Sequence, residues 1–257
     1  MTDSRVVYLG SRAAAAAPAA DTPRVLAAFA HALERIPSCP GGFSACVAHL
    51  QEEHSKLAVQ MAALRALQRF RDALFHAPGR EVEMRQLWRE SLTAACYARL
   101  LAAELAGDAP LLTGAALLHR LGDVLALRAL AHAEFNSGQR LGGPVLQEVT
   151  AAQNGPLATR AITQWSLSDS LRSLLAKWRS DDVWTGDEPA ARHLALVQLL
   201  AFEHVHAGRS TPGVVETAFD QAQLPLSLLD LLRGAQPSID ALLLRVAPRM
   251  GTIALVQ

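Results

Sequence analysis

The chain has 257 residues, of which 51% are hydrophobic and 19% are charged, a composition typical of a folded globular protein and not of a disordered one. Its 24 basic and 24 acidic residues balance, so we expect no nucleic-acid partner and no binding to an anionic membrane surface. Cys39, Cys46 and Cys96 have the spacing of neither metal ligands nor disulfide pairs, which indicates a protein of the reducing cytosol. No stretch reaches the roughly 18 uncharged apolar residues of a membrane-spanning helix.

Helical spacing dominates the first half of the chain. Residues 1–21, which are rich in Ala and contain Pro18, predict a flexible tail and not a signal peptide. Apolar residues at intervals of three and four then predict helices over 24–36, 43–53, 57–75 and 82–106. The run LLHRLGDVLAL at 117–127 falls inside the next predicted helix.

Pro and Gly predict the later helix boundaries. These breaks fall at Gly142-Gly143-Pro144, Asn154-Gly155-Pro156, 180–189, 208–213 and Gln236-Pro237. Strand-like patterns occur only near the two ends, in VVYLG at 6–10 and TIALVQ at 252–257, and residues 249–257 predict a second tail. We therefore predict an all-α fold, a multi-helix bundle of roughly ten helices.

Two segments together have a recognisable pattern. In the first, the matching residues are Leu87, Trp88, Ser91, Ala94, Ala95, Leu117, Leu118, His119 and Gly122. In the second, they are Trp165, Leu167 and Leu171. The two segments resemble the HDOD family, the HD-related output domain of bacterial signalling proteins. The resemblance implies a bundle of HD-like type, with a smaller N-terminal helical subdomain at 22–80 and an HDOD-like helical domain at 81–248.

The resemblance also implies where a metal site has been lost. HD phosphohydrolases hold divalent metal ions with a His, a His-Asp pair and a later Asp, because imidazole nitrogen and carboxylate oxygen bind such ions and activate water. The corresponding vestigial positions here are Glu90, His119, Arg120, Asn154, Trp178 and Arg179. A cation at Arg120 repels a divalent ion by several kcal/mol if the site is dry. We therefore expect no metal, no cofactor and no hydrolase activity.

His119 and Arg120 each admit two interpretations. His119 is either a core histidine whose ring nitrogen bonds a backbone carbonyl, which we favour, or a ligand or base with a partner still to be found. Arg120 either pairs with Asp123 three residues along a helix or presents its planar donor fork to a phosphate or carboxylate.

Three further features raise the same choice between structure and function. Trp184, in the acidic loop 180–189, either packs back on the bundle or is an exposed anchor for a partner protein. His204 and His206 are two residues apart and point to different sides of a helix, and we expect both to be solvated helix-end residues. A last group is predicted to form a solvated helix face; its members are Arg65, Arg69, Arg71 and Arg80.

The family resemblance implies a non-catalytic regulatory module that acts through protein contacts in bacterial signal transduction in the cytoplasm. The implied partners are sensor kinases, response regulators or cyclic di-GMP enzymes that control motility or virulence. One alternative is a receptor that binds a nucleotide or another anion in the vestigial cleft through Arg120. A second alternative is a residual metal-dependent phosphohydrolase.

Overall fold

A computed structural model describes residues 22–51, 57–180, 182–207 and 211–246. Twelve helices and no strand occur in these ranges, which confirms the all-α prediction. The helices are α1 (Thr22–Ala32), α2 (Phe43–Gln51), α3 (Leu57–Leu74), α4 (Glu81–Glu104), α5 (Ala109–Leu118), α6 (Leu121–Ser137), α7 (Gly143–Gln164), α8 (Asp169–Lys177), α9 (Pro189–Val205), α10 (Val214–Gln221), α11 (Leu226–Gly234) and α12 (Gln236–Val246). Both predicted tails and both strand-like ends lie outside the described residues.

Two predicted boundaries are wrong. The run at 117–127 does not form one helix, because α5 ends at Leu118 and α6 begins at Leu121. The predicted break at Asn154-Gly155-Pro156 does not occur, because α7 continues through Pro156. A proline inside a helix removes one backbone hydrogen bond. The helix continues nevertheless, and it packs closely against α6 at the contact between Gly122 and Asn154 described below.

Helix α4 lies at the centre of the bundle and packs against both α5 and α9. The expected apolar stripe is present in part, since Trp88 and Leu92 are buried but Ala103 is exposed. Burial extends around most of the helix and includes the polar side chains of Glu90 and Thr93. Because a buried polar group needs a partner, α4 is where a functional site is expected.

The main apolar core is one cluster, and its buried residues come from helices between Phe43 and Val246. A smaller cluster joins α1 to α6, where Val25 and Phe29 pack with Leu130. Aromatic contacts link the two sides of the predicted boundary near residue 80, for example between Phe75 and Trp88, whose ring centroids are 5.1 Å apart. The division into units at 22–80 and 81–248 stays a prediction, and one shared core crosses it.

One stretch among the described residues, Ala109–Ser137, is long and apolar enough to span a membrane by length and composition alone. Of its most apolar window, 78% is buried inside the fold. It covers α5 and α6, and Arg120 and Asp123 interrupt it. This degree of burial is that of a pair of core helices, which can be as long and as apolar as a membrane-spanning helix.

The predicted solvated arginine face is only partly present. Arg65 and Arg69 are exposed, whereas Arg80 is buried and donates to both carboxylate oxygens of Glu134. Arg71 donates to the backbone carbonyl of Val246, which ties α3 to α12. Arg71 and Arg80 therefore brace the fold and do not simply solvate a surface.

Candidate functional site

Three parts of the chain bring the vestigial HD positions together. The turn between α5 and α6 contains His119 and Arg120, α4 contributes Glu90, and the end of α8 contributes Trp178 and Arg179. The resemblance predicted these five positions from separate segments, and the structure links all five through direct contacts. Asp123, in the first turn of α6, joins the same group.

His119 is a buried residue whose ring is fixed by its own helix. Its Nδ1 donates to the carbonyl of Ala116 at 2.6 Å, the arrangement that the core-histidine interpretation predicts. Burial lowers the pKa of His119 from 6.5 to about 3, and the charge of Arg120 contributes to the decrease. His119 is therefore neutral at physiological pH and does not serve as a proton donor there.

Arg120 lies between two carboxylates. Its Nε is 3.1 Å from Oδ2 of Asp123 and 3.4 Å from Oε2 of Glu90. The pairing with Asp123 was one of the two interpretations made from the sequence. Both carboxylates are largely buried, while the side chain of Arg120 keeps 27% of its surface exposed. A guanidinium thus neutralises the two acids that a divalent metal would need as ligands.

Glu90 has a second set of partners that the sequence did not indicate. His206, which directly follows α9, brings its Nε2 to 2.8 Å from Oε1 of Glu90, and both side chains are buried. Gln86, one turn earlier on α4, donates to the same oxygen at 3.4 Å. The carboxylate of Glu90 is therefore held from three sides, by Arg120, His206 and Gln86.

Trp178 and Arg179 close the other side of the group. The Trp178 ring meets the ring of His119 edge-to-face, with centroids 5.5 Å apart. The guanidinium of Arg179 lies over the Trp178 ring at 4.5 Å, a cation–π contact. Arg179 also donates to Oδ2 of Asp123 at 3.5 Å. One acceptor on Asp123 is thus shared between Arg120 and Arg179.

Asn154 reaches the group only indirectly, through Gly122. A β-carbon placed on Gly122 would be 1.9 Å from the backbone oxygen and 2.3 Å from the side-chain oxygen of Asn154. The backbones of α6 and α7 therefore meet at a point that only glycine permits. This contact fixes the first turn of α6, which carries Asp123.

The expectation of solvated histidines near the end of α9 is wrong, because tertiary contacts cover both rings. His204 and His206 have side chains that are 7% and 8% exposed. His204 contacts the hydroxyl of Tyr97 at 2.9 Å and Asp240 at 3.0 Å, whereas His206 turns to Glu90. The prediction that the two point to different sides holds.

Trp184 is half-buried and packs against the main core. It lines a small cavity together with Leu199 of α9 and Val214 of α10. This placement agrees with the interpretation that the ring packs back on the bundle.

The arrangement does not fit a metal. Across the described ranges, no group of three or more His, Cys, Asp and Glu side chains converges as a metal site does. Glu90 and Asp123 are the acidic side chains of the site, and Arg120 lies between them. His119, the remaining histidine of the motif, uses Nδ1 for its own helix. The group can instead hold charges in fixed positions.

Comparison with known proteins places this site in a family. Residues 56–179 match the model of the HDOD domain. No curated protein is similar to the chain. A crystal structure of a candidate phosphohydrolase from Shewanella amazonensis SB2B superposes with a TM-score of 0.54 at 13% identity, covering 86% of this chain and 98% of that one. This likeness shows a shared fold. Residues 56–179 thus match the family that the sequence pattern resembles, and Glu90, His119, Arg120, Asn154, Trp178 and Arg179 lie within this segment.

Proposed function

We propose that this protein is a non-catalytic regulatory module of bacterial signal transduction that acts in the cytoplasm through protein contacts. The observation that carries the proposal is the position of Arg120, whose Nε lies between the carboxylates of Glu90 and Asp123. A cation that is part of the chain leaves these acids neutralised, so they have little affinity for a second, divalent cation. The signalling role is what the resemblance to the HDOD family implies, and the match over residues 56–179 supports that resemblance.

Metal content and a reverse substitution test the loss of catalysis. Purified protein is expected to contain no stoichiometric Mn, Fe, Ni or Zn by elemental analysis and to hydrolyse no phosphate ester. Arg120→Asp restores a His-Asp pair and replaces the cation between Glu90 and Asp123 with a third carboxylate, so Mn²⁺ is expected to raise the melting temperature of this variant and not that of the wild type. Arg65→Asp, an exposed site with the same charge change, is the control. Stoichiometric metal together with hydrolysis in the wild type would contradict the proposal.

Exposed apolar side chains near Arg80 are the surface that we propose for partner contact. Phe135 is 82% exposed and Val82 is 71% exposed. They are the sequence neighbours of Glu134 and Glu83, the two carboxylates that Arg80 binds. Large exposed aromatic residues on a rigid support are frequent anchors of protein interfaces. The partner classes remain sensor kinases, response regulators and cyclic di-GMP enzymes.

Capture from the native cell tests this surface. The wild type is expected to recover a signalling protein of these classes, identified by mass spectrometry, and Phe135→Ser is expected to lose it. Leu244→Ser, at a side chain that is 78% exposed on α12, is the matched control and should retain the partner. Recovery of metabolic enzymes alone, or of no specific protein, would count against a signalling role. Equal recovery by the two serine variants would exclude the Phe135 surface.

A receptor for a nucleotide or another anion is the second candidate, because the guanidinium of Arg120 has hydrogen-bond donors that can bind another acceptor. Within the described part of the chain its guanidinium lies close to two carboxylates but donates no well-aligned hydrogen bond, and its Nε is buried. Arg179 shares Asp123 with it, so a phosphate could take the place of that carboxylate. A panel of nucleotides and cyclic dinucleotides should raise the melting temperature, and Arg120→Ala should remove the effect. If no ligand shifts the wild type, the receptor function is rejected.

A further inference from the structure

A groove of about 340 Å³ lies between α2, α3, α4 and α12, away from the vestigial HD positions. Its volume is within the range of about 300–1,000 Å³ that small-molecule sites occupy. The floor consists of buried apolar side chains contributed by α2, α3 and α12: Leu50, Ala63, Leu67 and Ile239. Half-buried leucines flank them and extend the apolar surface: Leu64, Leu100 and Leu242.

Among the lining residues that the structure describes, the charged side chains are those of two arginines. Arg99 is half-buried on α4, Arg245 is exposed near the end of α12, and no carboxylate lines the groove within the described ranges. Neither guanidinium makes a hydrogen bond or an ion pair with the residues that the structure describes. His49 and Ser238 complete the polar lining. An apolar floor flanked by two arginines is complementary to a molecule that has an apolar body and one anionic end.

Cys96, which also lines the groove, adds no negative charge to it. Burial raises the pKa of the Cys96 thiol to about 12, although the charge of Arg99 works in the opposite direction. Cys96 is therefore a neutral thiol near physiological pH. The positive charge of Arg99 is left for a ligand.

We propose that this groove binds a medium-chain fatty carboxylate, with the alkyl chain on the floor and the carboxylate at Arg99 and Arg245. This proposal is independent of the proposed regulatory function, because no residue of the groove belongs to the vestigial HD group. Arg99 supplies the charge-assisted hydrogen bond at the inner end, and Arg245 covers the carboxylate from the rim. Leu64, Leu100 and Leu242 contact the alkyl chain.

Calorimetric titration of the full chain tests the proposal with octanoate, dodecanoate and dodecanol, each below its micelle concentration. Both carboxylates are expected to bind saturably, and dodecanoate more tightly, by up to about fourfold per added methylene that the groove buries. Dodecanol is expected to bind at least tenfold more weakly, because it lacks the charge that Arg99 recognises. Arg99→Gln should weaken dodecanoate by about tenfold, and Leu242→Trp, which fills the groove, should abolish binding.

The control is Arg65→Gln, which removes the same charge from an exposed position on α3 and should leave the affinity unchanged. Thermal unfolding of every variant verifies that it is folded. Equal affinity for dodecanol and dodecanoate, undiminished binding by Arg99→Gln, or no saturable binding by the wild type would each overturn the proposal. A dimer that dodecanoate dissociates would assign the groove to a second copy of the chain and would overturn it as well.

Discussion

A buried arginine, Arg80, and a half-buried one, Arg120, lie at opposite ends of α6, and they are held in different ways. Arg80 lies beside the last turn of the helix, where its Nε and Nη2 bind the two oxygens of Glu134 at 3.1 and 2.5 Å. Its Nη1 donates to Glu83 at 3.0 Å, and Nη2 also reaches the carbonyl of Leu141 at 3.2 Å. Burial disfavours the charged form, but the bonds and charges of the two glutamates outweigh this effect and raise the pKa of Arg80.

Arg120, which directly precedes α6, has two carboxylates close to its Nε but makes no hydrogen bond within the described ranges. Its side chain is 27% exposed, compared with 5% for Arg80. The comparison separates two uses of a buried cation. A bidentate, fully bonded guanidinium fixes a structure, whereas a loosely paired one neutralises charge and keeps donors for another acceptor.

Arg80→Ala is expected to have the largest effect on stability. Removing one partner of a buried pair leaves Glu134 charged and uncompensated, which costs about 3–5 kcal/mol in the free energy of unfolding. Urea denaturation monitored by circular dichroism measures the change. Arg65→Ala, at an exposed position on α3, is the control and should change stability by less than about 0.5 kcal/mol. A loss below about 1 kcal/mol for Arg80→Ala would mean that the pair does not brace the end of α6.

Acid should lower the free energy of unfolding through His119, which lies just before the first turn of α6. The folded-state pKa of about 3 lies below the ordinary 6.5, so the unfolded chain takes up a proton first as the pH falls. The stabilisation is complete above pH 6.5 and is lost as the pH decreases toward 3, by about 1.4 kcal/mol per pH unit.

Urea denaturation at pH 7 and at about pH 4.5 tests this linkage, and His119 should account for a loss of about 2–3 kcal/mol between them. His119→Asn keeps a donor for Ala116 and does not titrate, so its stability should decrease less over the same interval. If the two proteins lose the same amount, His119 titrates normally and is not buried in its neutral form.

The fold was largely predictable from local patterns, and its exceptions come from packing. Apolar spacing placed α1 to α4 within a few residues of their bounds. It did not indicate the break at His119 and Arg120, because the apolar periodicity continues across them. It predicted a break at Pro156, but α7 continues through this residue and packs against α6.

The site was predictable where a motif or a short spacing defined it. The family pattern selected Glu90, His119 and Arg120, and a spacing of three residues predicted the pair of Arg120 and Asp123. His206 was missed because 116 residues separate it from Glu90, and no local signal connects two residues at such a distance. We expected His206 to be solvated because it lies at the end of a helix. The sequence does not show that a distant segment buries it.

Gly122→Ala tests whether backbone packing, and not ion pairing, positions Arg120 and Asp123. The added β-carbon would overlap the Asn154 carbonyl of α7, so α6 and α7 must separate. We expect a loss of about 2 kcal/mol in the free energy of unfolding, although alanine is the better helix former. Gly114→Ala in α5 is the matched control, because its β-carbon would meet Phe43 and Val47 at ordinary distances of 3.5 and 3.6 Å. That variant should be at least as stable as the wild type, and equal effects at both glycines would exclude a special contact at Gly122.

Arg120→Ala should have the smallest effect on stability, about 1 kcal/mol or less. Glu90 keeps its bonds to His206 and Gln86, and Asp123 keeps Arg179, so neither acid is left without a partner. The loss is therefore closer to that of a surface ion pair than to that of Arg80→Ala. Urea denaturation of both alanine variants in one buffer measures the difference directly. A loss above about 3 kcal/mol for Arg120→Ala would make the two arginines equivalent braces, and Arg120 would then be structural and not available to an anion.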